Sequence, residues 1–249
     1  MNSFPKYDGN THPDEWINDI KKYYNVRKLQ SLNYISERDG EIVIDESNII
    51  RYGSIVVLKH VATEKYLTSA KDLHYTTGSK NQLVSTGDSK LDPNALWYIY
   101  DDTYASKNYV YTKSDICLQH KVSKLYLGNC YYPQVLIFKR SQDKDQYKYH
   151  ISPTSNHTEV SCINEEIKWK LIHSRMENNQ GYLKSNDVVN ISIKRSYDID
   201  GPIQDGQVEF LRSHDIQFTI GNETFQEVVC HSERLGGTDE WCIELIKQA

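Results

Sequence analysis

Two kinds of hydrophobic pattern follow one another along the chain. Between Trp16 and Tyr24, apolar residues recur at three- and four-residue spacing, which predicts an amphipathic helix of barely three turns. Pro13 suits the first turn of that helix, because a backbone N–H would have no helical partner there. From Tyr52 onward the pattern changes to short β-type runs separated by turns. The sequence therefore predicts a short helix followed by an all-β body.

The β-type runs recur in three copies, each of which contains two short leading strands. These strand pairs are Leu58-Lys59-His60 with Tyr66-Leu67, Leu118-Gln119-His120 with Tyr126-Leu127, and Val188-Val189-Asn190-Ile191 with Phe210-Leu211. The third copy is degenerate, and Ile193 stands where His60 stands in the first. A site that needs three equivalent histidines is therefore excluded.

Each copy closes on a tryptophan within an apolar strand, and these three tryptophans are equally spaced in the sequence. Each unit is too small to bury its own apolar face, so the three are expected to pack around a common axis. The repeated apolar positions are predicted to form the structural core, and they are Leu58, Leu67, Trp97, Leu118, Leu127, Trp169, Ile191, Leu211 and Trp241.

The middles of the copies carry turn signals and differ in length. The run Tyr75-Thr76-Thr77-Gly78 in the first copy parallels Phe218-Thr219-Ile220-Gly221 in the third. Both glycines are expected to allow a turn with positive φ. The second copy is longer than the first between its leading strand and its tryptophan. It therefore carries an insertion, which includes the polar residues 140–147.

Composition and charge narrow the class of protein. Hydrophobic residues make up 38% and charged residues 25% of the chain, which suffices for a packed core. The formal net charge of −5 argues against a nucleic-acid-binding protein, which needs a basic face toward the phosphates. No apolar run approaches the roughly 20 residues of a membrane-spanning helix. The chain has 19 tyrosines, a residue that favours strands and half-wet surfaces.

Cysteine usage bears on the cellular compartment. The five cysteines are an odd number without a CxxC pair. The opening residues lack the positive region and the apolar stretch of a secretory signal. We therefore expect an intracellular, cytoplasmic protein with reduced cysteines.

The first copy resembles a known module. The runs Tyr52-Gly53-Ser54-Ile55-Val56-Val57-Leu58-Lys59-His60, Thr63-Glu64-Lys65-Tyr66-Leu67-Thr68-Ser69 and Asn94-Ala95-Leu96-Trp97 are similar to a MIR repeat. That module is named for protein mannosyltransferases, inositol trisphosphate receptors and ryanodine receptors. The resemblance spans roughly residues 50–246. It implies a β-trefoil of three four-stranded units, in which six strands form a short barrel and six strands cap it.

On this resemblance the chain divides into two parts. Residues 1–50 are expected to form a helical segment with a connector, and residues 51–249 the β-trefoil, with repeats at about 52–105, 106–180 and 181–249. The opening Phe4-Pro5-Lys6-Tyr7-Asp8-Gly9, followed by Pro13-Asp14-Glu15-Trp16-Ile17, resembles the start of retrotransposon Gag-like capsid domains. The expected fold class is therefore an all-β trefoil preceded by a short N-terminal α-helix.

Signatures of catalysis and of metal binding are missing from the sequence. It holds no GxSxG, HExxH, GxxxxGK[ST] or GxGxxG motif. Cys162 and the pair Cys230-His231 lack a second Cys/His cluster at ligand spacing, which favours buried apolar cysteines over a metal site or a nucleophile. We expect neither enzymatic activity, nor a metal, nor another cofactor.

A non-catalytic binding module for a glycan or a glycosylated peptide is the favoured function. Sugars need aromatic faces and polar side chains on a rigid scaffold, and a tyrosine-rich β-trefoil provides both. Candidate ligand contacts are the motif residues at which MIR proteins present polar groups, namely Lys59, His60, Gln119, His120 and Arg212. The two histidines have an alternative role, in which they bond a neighbouring backbone carbonyl within the repeat.

Two other functions remain open at this point. One is a protein–protein adaptor or self-association module, in which the N-terminal helix binds a partner or forms a dimer. The other is inositol phosphate binding, which the receptor members of the family suggest. Phosphate ligands need clustered Arg and Lys for bidentate contacts, and the repeats show mostly isolated basic residues.

Overall fold

The computed structural model describes residues 48–101, 109–134, 146–174, 181–198 and 200–249. The predicted N-terminal helix and the Gag-like opening fall outside these ranges. From Ile49 to Ala249 the chain forms one compact unit. Within the described residues, no helix has the length and the apolar character that crossing a membrane requires.

The described part of the chain consists of short antiparallel strands, with 3₁₀ turns at Pro93–Ala95 and Gly237–Asp239. The strands are β1 (Ile55–His60), β2 (Tyr66–Thr68), β3 (Gln82–Leu83), β4 (Ser85–Gly87), β5 (Trp97–Tyr100), β6 (Asp115–His120), β7 (Tyr126–Asn129), β8 (Tyr131–Gln134), β9 (Gln146–Tyr149), β10 (Thr158–Ile163), β11 (Trp169–His173), β12 (Asp187–Lys194), β13 (Tyr197–Asp198), β14 (Gly201–Pro202), β15 (Val208–Ile220), β16 (Glu223–His231) and β17 (Trp241–Lys247).

Six of these strands close into a barrel. Strand β1 pairs with β5, β5 with β6, β6 with β11, β11 with β12, β12 with β17, and β17 again with β1. Because the ring of pairings returns to its first strand, none of the six has an unpaired edge. Each repeat contributes its first and its last strand to this ring.

Three hairpins, one from each repeat, cap the barrel. They are β2 with β4, β7 with β10, and β15 with β16. Strand β16 also pairs with β4 and with β10, and β10 pairs with β3, so the hairpins are hydrogen-bonded to one another. Six barrel strands and three capping hairpins make a β-trefoil, which confirms the all-β trefoil of the predicted fold class.

Two small sheets lie outside this framework. Strands β8 and β9 form one of them, and β13 and β14 form the other. They are inserted into the second and third repeats, the copies whose middles are longer than that of the first. The insertions have no counterpart in the first repeat.

The core repeats the same contacts three times. All nine apolar positions selected from the sequence have a relative exposure of 0%. Each indole N–H donates to a backbone carbonyl of the second strand in its own repeat, and the bonds are Trp97 to Leu67 at 3.0 Å, Trp169 to Leu127 at 2.8 Å and Trp241 to Leu211 at 3.0 Å. A buried Trp needs such a partner for its N–H, so these bonds fix the depth of each ring.

Candidate functional site

The two candidate histidines lie inside the protein. His60 and His120 are both fully buried, and burial lowers the pKa of each imidazole. Nε2 of His60 donates to the carbonyl of Thr238 at 3.0 Å, and Nε2 of His120 donates to the carbonyl of Asn94 at 3.2 Å. Both rings therefore bond a backbone carbonyl, but the carbonyl belongs to another repeat, not to the histidine's own repeat as the alternative role had it.

The tautomer of these histidines follows from their neighbours. Because a carbonyl oxygen can only accept, Nε2 carries the proton in each neutral ring. Nδ1 then accepts from a hydroxyl three residues later, Thr63 at 2.8 Å and Ser123 at 2.9 Å. Each ring also packs on the tryptophan that pairs with its strand, with centroids 5.0 Å apart at Trp241 and 5.2 Å at Trp97.

The other three candidates do not converge on a common pocket either. Lys59 forms an ion pair with Glu64 at 3.5 Å. The amide of Gln119 donates to a carbonyl in the following turn at 3.1 Å. Arg212 is largely buried, and its guanidinium bonds Asp239 and Glu233. None of these residues lines either of the two cavities described below.

The first of these cavities lies among the three capping hairpins, and we call it the cap cavity. It has a volume of about 230 Å³ and receives residues from all three repeats. Its walls combine two aromatic rings, several hydroxyls and two carboxylates, supplied by Tyr75, Thr76, Thr77, Ser152, Thr154, Glu159, Phe218, Thr219 and Glu227. Tyr75 and Phe218 stack with their ring centroids 6.3 Å apart. These are the rings of the two parallel runs identified in the sequence.

Glu159 is the carboxylate of the cap cavity that has no basic partner among the described residues. It is 3% exposed, and the backbone N–H of Ser79 donates to its oxygens at 3.3 and 3.5 Å. Burial raises the pKa of Glu159, and the bonds from Ser79 oppose that shift. Among the described residues, no Lys, Arg or His forms an ion pair with Glu159.

Glu227 is held differently. It is also 3% exposed, but Nε2 of His214 lies 2.6 Å from its Oε2, and the hydroxyl of Ser152 donates to its Oε1. Burial acts to raise the pKa of Glu227, yet these hydrogen bonds outweigh it and hold the pKa below the usual range. The cavity thus has one carboxylate with a basic partner and one without.

The turn beside Glu159 requires glycine for two reasons. Gly78 has φ of +66°, and Gly221 in the third repeat has φ of +62°, which confirms both expected turns. A Cβ on Gly78 would overlap the carboxylate of Glu159, whereas a Cβ on Gly221 would meet open space. An alanine at Gly221 would therefore introduce backbone strain alone, whereas an alanine at Gly78 would add a steric overlap.

Gly78→Ala is expected to lower the free energy of unfolding by roughly 1–3 kcal/mol, because it adds displacement of Glu159 to left-handed backbone strain. Gly221→Ala is the matched control and should cost only the strain, about 1 kcal/mol. Urea denaturation of both variants measures the difference. Equal losses would contradict the close contact between Gly78 and Glu159.

The second cavity lies between the two inserted sheets, and we call it the tyrosine groove. It has a volume of about 400 Å³ and is lined by Tyr147, Lys148, Tyr149, Ile151, Arg195, Tyr197, Asp198, Ile203, Asp205, Gly206 and Gln207. Tyr131 stacks on Tyr197 with ring centroids 3.9 Å apart, and Tyr147 lies 4.9 Å from Tyr197. The groove therefore has an aromatic wall that no single repeat could supply.

Tyr149 and Arg195 anchor this groove to the trefoil. The hydroxyl of Tyr149 accepts the backbone N–H groups of Ser196 at 3.0 Å and Tyr197 at 3.2 Å. The guanidinium of Arg195 lies 4.7 Å from the ring centroid of Tyr149 and pairs with the buried Glu209 at 2.7 Å. These contacts fix the strand that carries Tyr197, so the aromatic wall is preorganised.

Cys162 and Cys230 are buried, as expected from the sequence. Burial raises the pKa of Cys162 to about 12 and that of Cys230 well above its ordinary value, so both thiols are protonated at neutral pH. The described part of the chain brings together no group of three His, Cys, Asp or Glu side chains able to hold a metal ion.

Sequence reasoning missed the residues of both cavities as site residues. The pairing of the Tyr75 and Phe218 runs was visible, but only as evidence for a repeat. The insertion in the second copy and the longer loop in the third copy were the signal for the groove. Nothing in the sequence indicated that the two insertions meet.

Comparison with known proteins identifies relatives of this fold. No family model matches the chain. The inositol 1,4,5-trisphosphate receptor itr-1 of Caenorhabditis elegans is 24% identical over 172 residues, which is 67% of this chain and 6% of the receptor. The chain thus spans only a small part of the length of the curated relative that it matches.

Two solved structures support the same relationship. The SDF2-like protein from Arabidopsis thaliana is 25% identical, with a TM-score of 0.56 over 78% of this chain and 94% of that one. The S. cerevisiae protein O-mannosyltransferase Pmt1-Pmt2 complex, bound to the sugar donor, is 19% identical, with a TM-score of 0.56 over 92% of this chain and 31% of that one. From its repeats, its barrel and cap, and these similarities, the described part of the chain is a MIR-domain β-trefoil, homologous to a segment of the inositol trisphosphate receptor.

Proposed function

We propose that this protein is a non-catalytic binding module and that it recognises a glycan or a glycosylated peptide in the tyrosine groove. The observation that carries the proposal is the stacked tyrosine wall beside a mixed polar rim. Tyr147 and Tyr197 line the groove and are partly exposed, so their rings offer apolar surface to a ligand, and Tyr131 stacks on Tyr197. Binding modules of this kind need a rigid scaffold, which the closed barrel provides.

The chemistry of the groove suits a neutral polyhydroxylated ligand. The C–H face of a sugar ring packs on an aromatic face, and its hydroxyls need donors and acceptors around the rim. Asp198, Asp205, Gln207 and Lys148 supply both kinds of group. A shallow cavity with an aromatic wall and a few polar groups is the usual form of a small-ligand site.

A phosphorylated ligand fits this groove poorly. The receptor relative is named for inositol trisphosphate, and such a ligand needs several convergent Arg and Lys side chains. The described lining of the groove contains Lys148 and Arg195, and Arg195 is already paired with Glu209. Two aspartates on the same lining offset the remaining positive charge.

Tyr197→Ala is expected to abolish glycan binding, because it removes the ring on which Tyr131 and Tyr147 pack. A thermal-shift screen of mono- and oligosaccharides and glycopeptides would identify a ligand of the unaltered protein. A ligand at 100 times its Kd stabilises the folded state by about 2.7 kcal/mol. The variant should lose this shift while remaining folded.

Tyr132→Ala is the matched control. Tyr132 lies on the β8–β9 hairpin next to Tyr131, does not line the groove, and packs on His150 with ring centroids 4.5 Å apart. It should bind the ligand as the unaltered protein does. Equal loss of binding in both variants, or no shift with any sugar, would contradict the proposal and favour a protein-interaction role.

A further inference from the structure

The cap cavity presents a different chemistry from the tyrosine groove. Its described lining contains no Lys, Arg or His, although it includes Glu159 and Glu227. A buried carboxylate without a counter-charge is costly, because desolvation disfavours its ionised form. Glu227 has His214 as a basic partner, but Glu159 has only hydrogen bonds from Ser79. The open side of the cavity is therefore where a counter-charge for Glu159 can enter.

Two aromatic rings border the same space. Tyr75 is fixed by its hydroxyl, which donates to the carbonyl of Val160 at 2.9 Å and to that of Val84 at 3.3 Å. Phe218 stands next to it at the turn end of β15, with its ring nearly parallel at an interplanar angle of 23°. Aromatic faces attract cations within about 6 Å of the ring centroid, and most strongly where water is excluded.

We propose that the cap cavity binds a small alkylammonium group, with Glu159 as its counter-ion and the rings of Tyr75 and Phe218 as its aromatic walls. The volume of about 230 Å³ is below the roughly 300–1,000 Å³ of sites for drug-sized ligands, so it suits a single small head group. The hydroxyls of Thr76, Thr77 and Thr154 can accept hydrogen bonds from a primary ammonium. This site is separate from the tyrosine groove and does not depend on glycan binding.

A purely structural role for Glu159 explains less of the arrangement. The carboxylate does accept the N–H of Ser79, and that bond ties the first repeat to the second. A glutamine would serve that bond as well, through its side-chain oxygen, without the cost of burying a charge. The adjacent aromatic walls and the open cavity have no part in that bond, but they are what a cation needs.

The test is isothermal titration calorimetry of the whole chain at low ionic strength with three probes. Choline presents a quaternary ammonium, ethanolamine presents a primary one, and 3,3-dimethyl-1-butanol is the uncharged carbon analogue of choline. Binding of choline, ethanolamine or both, without binding of the neutral alcohol, supports the proposal. The amine that binds with the higher affinity shows whether the site prefers a quaternary or a primary ammonium group. No binding of either amine, or equal binding of the neutral alcohol, overturns it.

Two variants locate the binding. Glu159→Gln keeps the shape of the side chain and should weaken amine binding about tenfold or more, since 1.4 kcal/mol corresponds to a factor of ten. Glu223→Gln is the matched control, because Glu223 is an exposed carboxylate at the tip of the β15–β16 hairpin and does not line the cavity. It should bind as the unaltered protein does. Equal affinity in Glu159→Gln and the unaltered protein overturns the proposal, and if that variant fails to fold, the comparison of choline with its neutral analogue still decides.

Discussion

Trp97→Ala is expected to lower the free energy of unfolding by about 3–5 kcal/mol. The side chain is fully buried between the barrel and its cap, so its removal leaves a large cavity in the shared core. It also deprives the carbonyl of Leu67 of the indole donor at 3.0 Å. Trp169→Ala and Trp241→Ala should have similar effects, because each ring makes the equivalent bond in its own repeat.

Urea denaturation followed by far-ultraviolet circular dichroism measures this loss. Trp97→Phe is the control, since it keeps most of the packing and removes mainly the hydrogen bond, which is worth about 1 kcal/mol. Three alanine variants with unperturbed stability would contradict the assignment of these residues to a common three-fold core.

Asp239→Ala is expected to lower the free energy of unfolding by about 3–5 kcal/mol, because it removes the carboxylate partner of the buried His231 and leaves Arg212 with Glu233 alone. Oδ1 of Asp239 accepts from Nε of Arg212 and from Nε2 of His231, each at 2.8 Å, and Oδ2 accepts from the N–H of Gly236 at 2.6 Å. Asp239 and His231 are almost fully buried. The exposed pair of Asp205 with Lys194 is the contrasting case, and Asp205→Ala should change stability by less than about 1 kcal/mol.

Acid titration of the unaltered protein checks the same network. Burial opposes ionisation of Asp239, but the bonds from His231, Arg212 and Gly236 outweigh it and lower its pKa from 3.8 to about 2. A carboxyl with a lowered folded-state pKa stabilises the protein fully above its unfolded-state pKa, and that stabilisation is lost as the pH falls through the folded-state value. About 2 kcal/mol should disappear between pH 4 and pH 2. Asp239→Ala should lack this component, and an unchanged acid profile would contradict the network.

The fold could be predicted from the sequence because its determinants are repeated and local. The leading strands and the tryptophans recur in a fixed order, and the three indole bonds show why that order matters. Ile193 was matched to His60 from the sequence, and in the barrel each of these residues pairs with the closing tryptophan of a repeat. The sequence repeat therefore predicted which residues occupy equivalent positions in the barrel, as well as the secondary structure.

The two cavities could not be predicted in the same way, because the tyrosine groove lies between the two insertions and the cap cavity forms only where segments of three repeats meet. Arg212 stands at a motif position, but it pairs with Asp239 in the 3₁₀ turn Gly237–Asp239 and is largely buried. Glu159 lies on β10, a strand whose residues are all buried, and it borders the cavity only because residues of the other two repeats pack around it. Contacts between repeats depend on tertiary packing, on which a single sequence carries no direct signal.

The pairing of β1 with β17 also determines how the domain would respond to mechanical force. Ile55 at the start of β1 lies opposite Lys247 at the end of β17, so the chain enters and leaves the barrel side by side. Tension applied through the flanking segments would load the hydrogen bonds of this antiparallel pair one after another from that end. Such a geometry peels rather than shears, and the barrel would open at its seam under low force. Within a longer polypeptide, a domain of this kind would keep the segment before it and the segment after it close together in space.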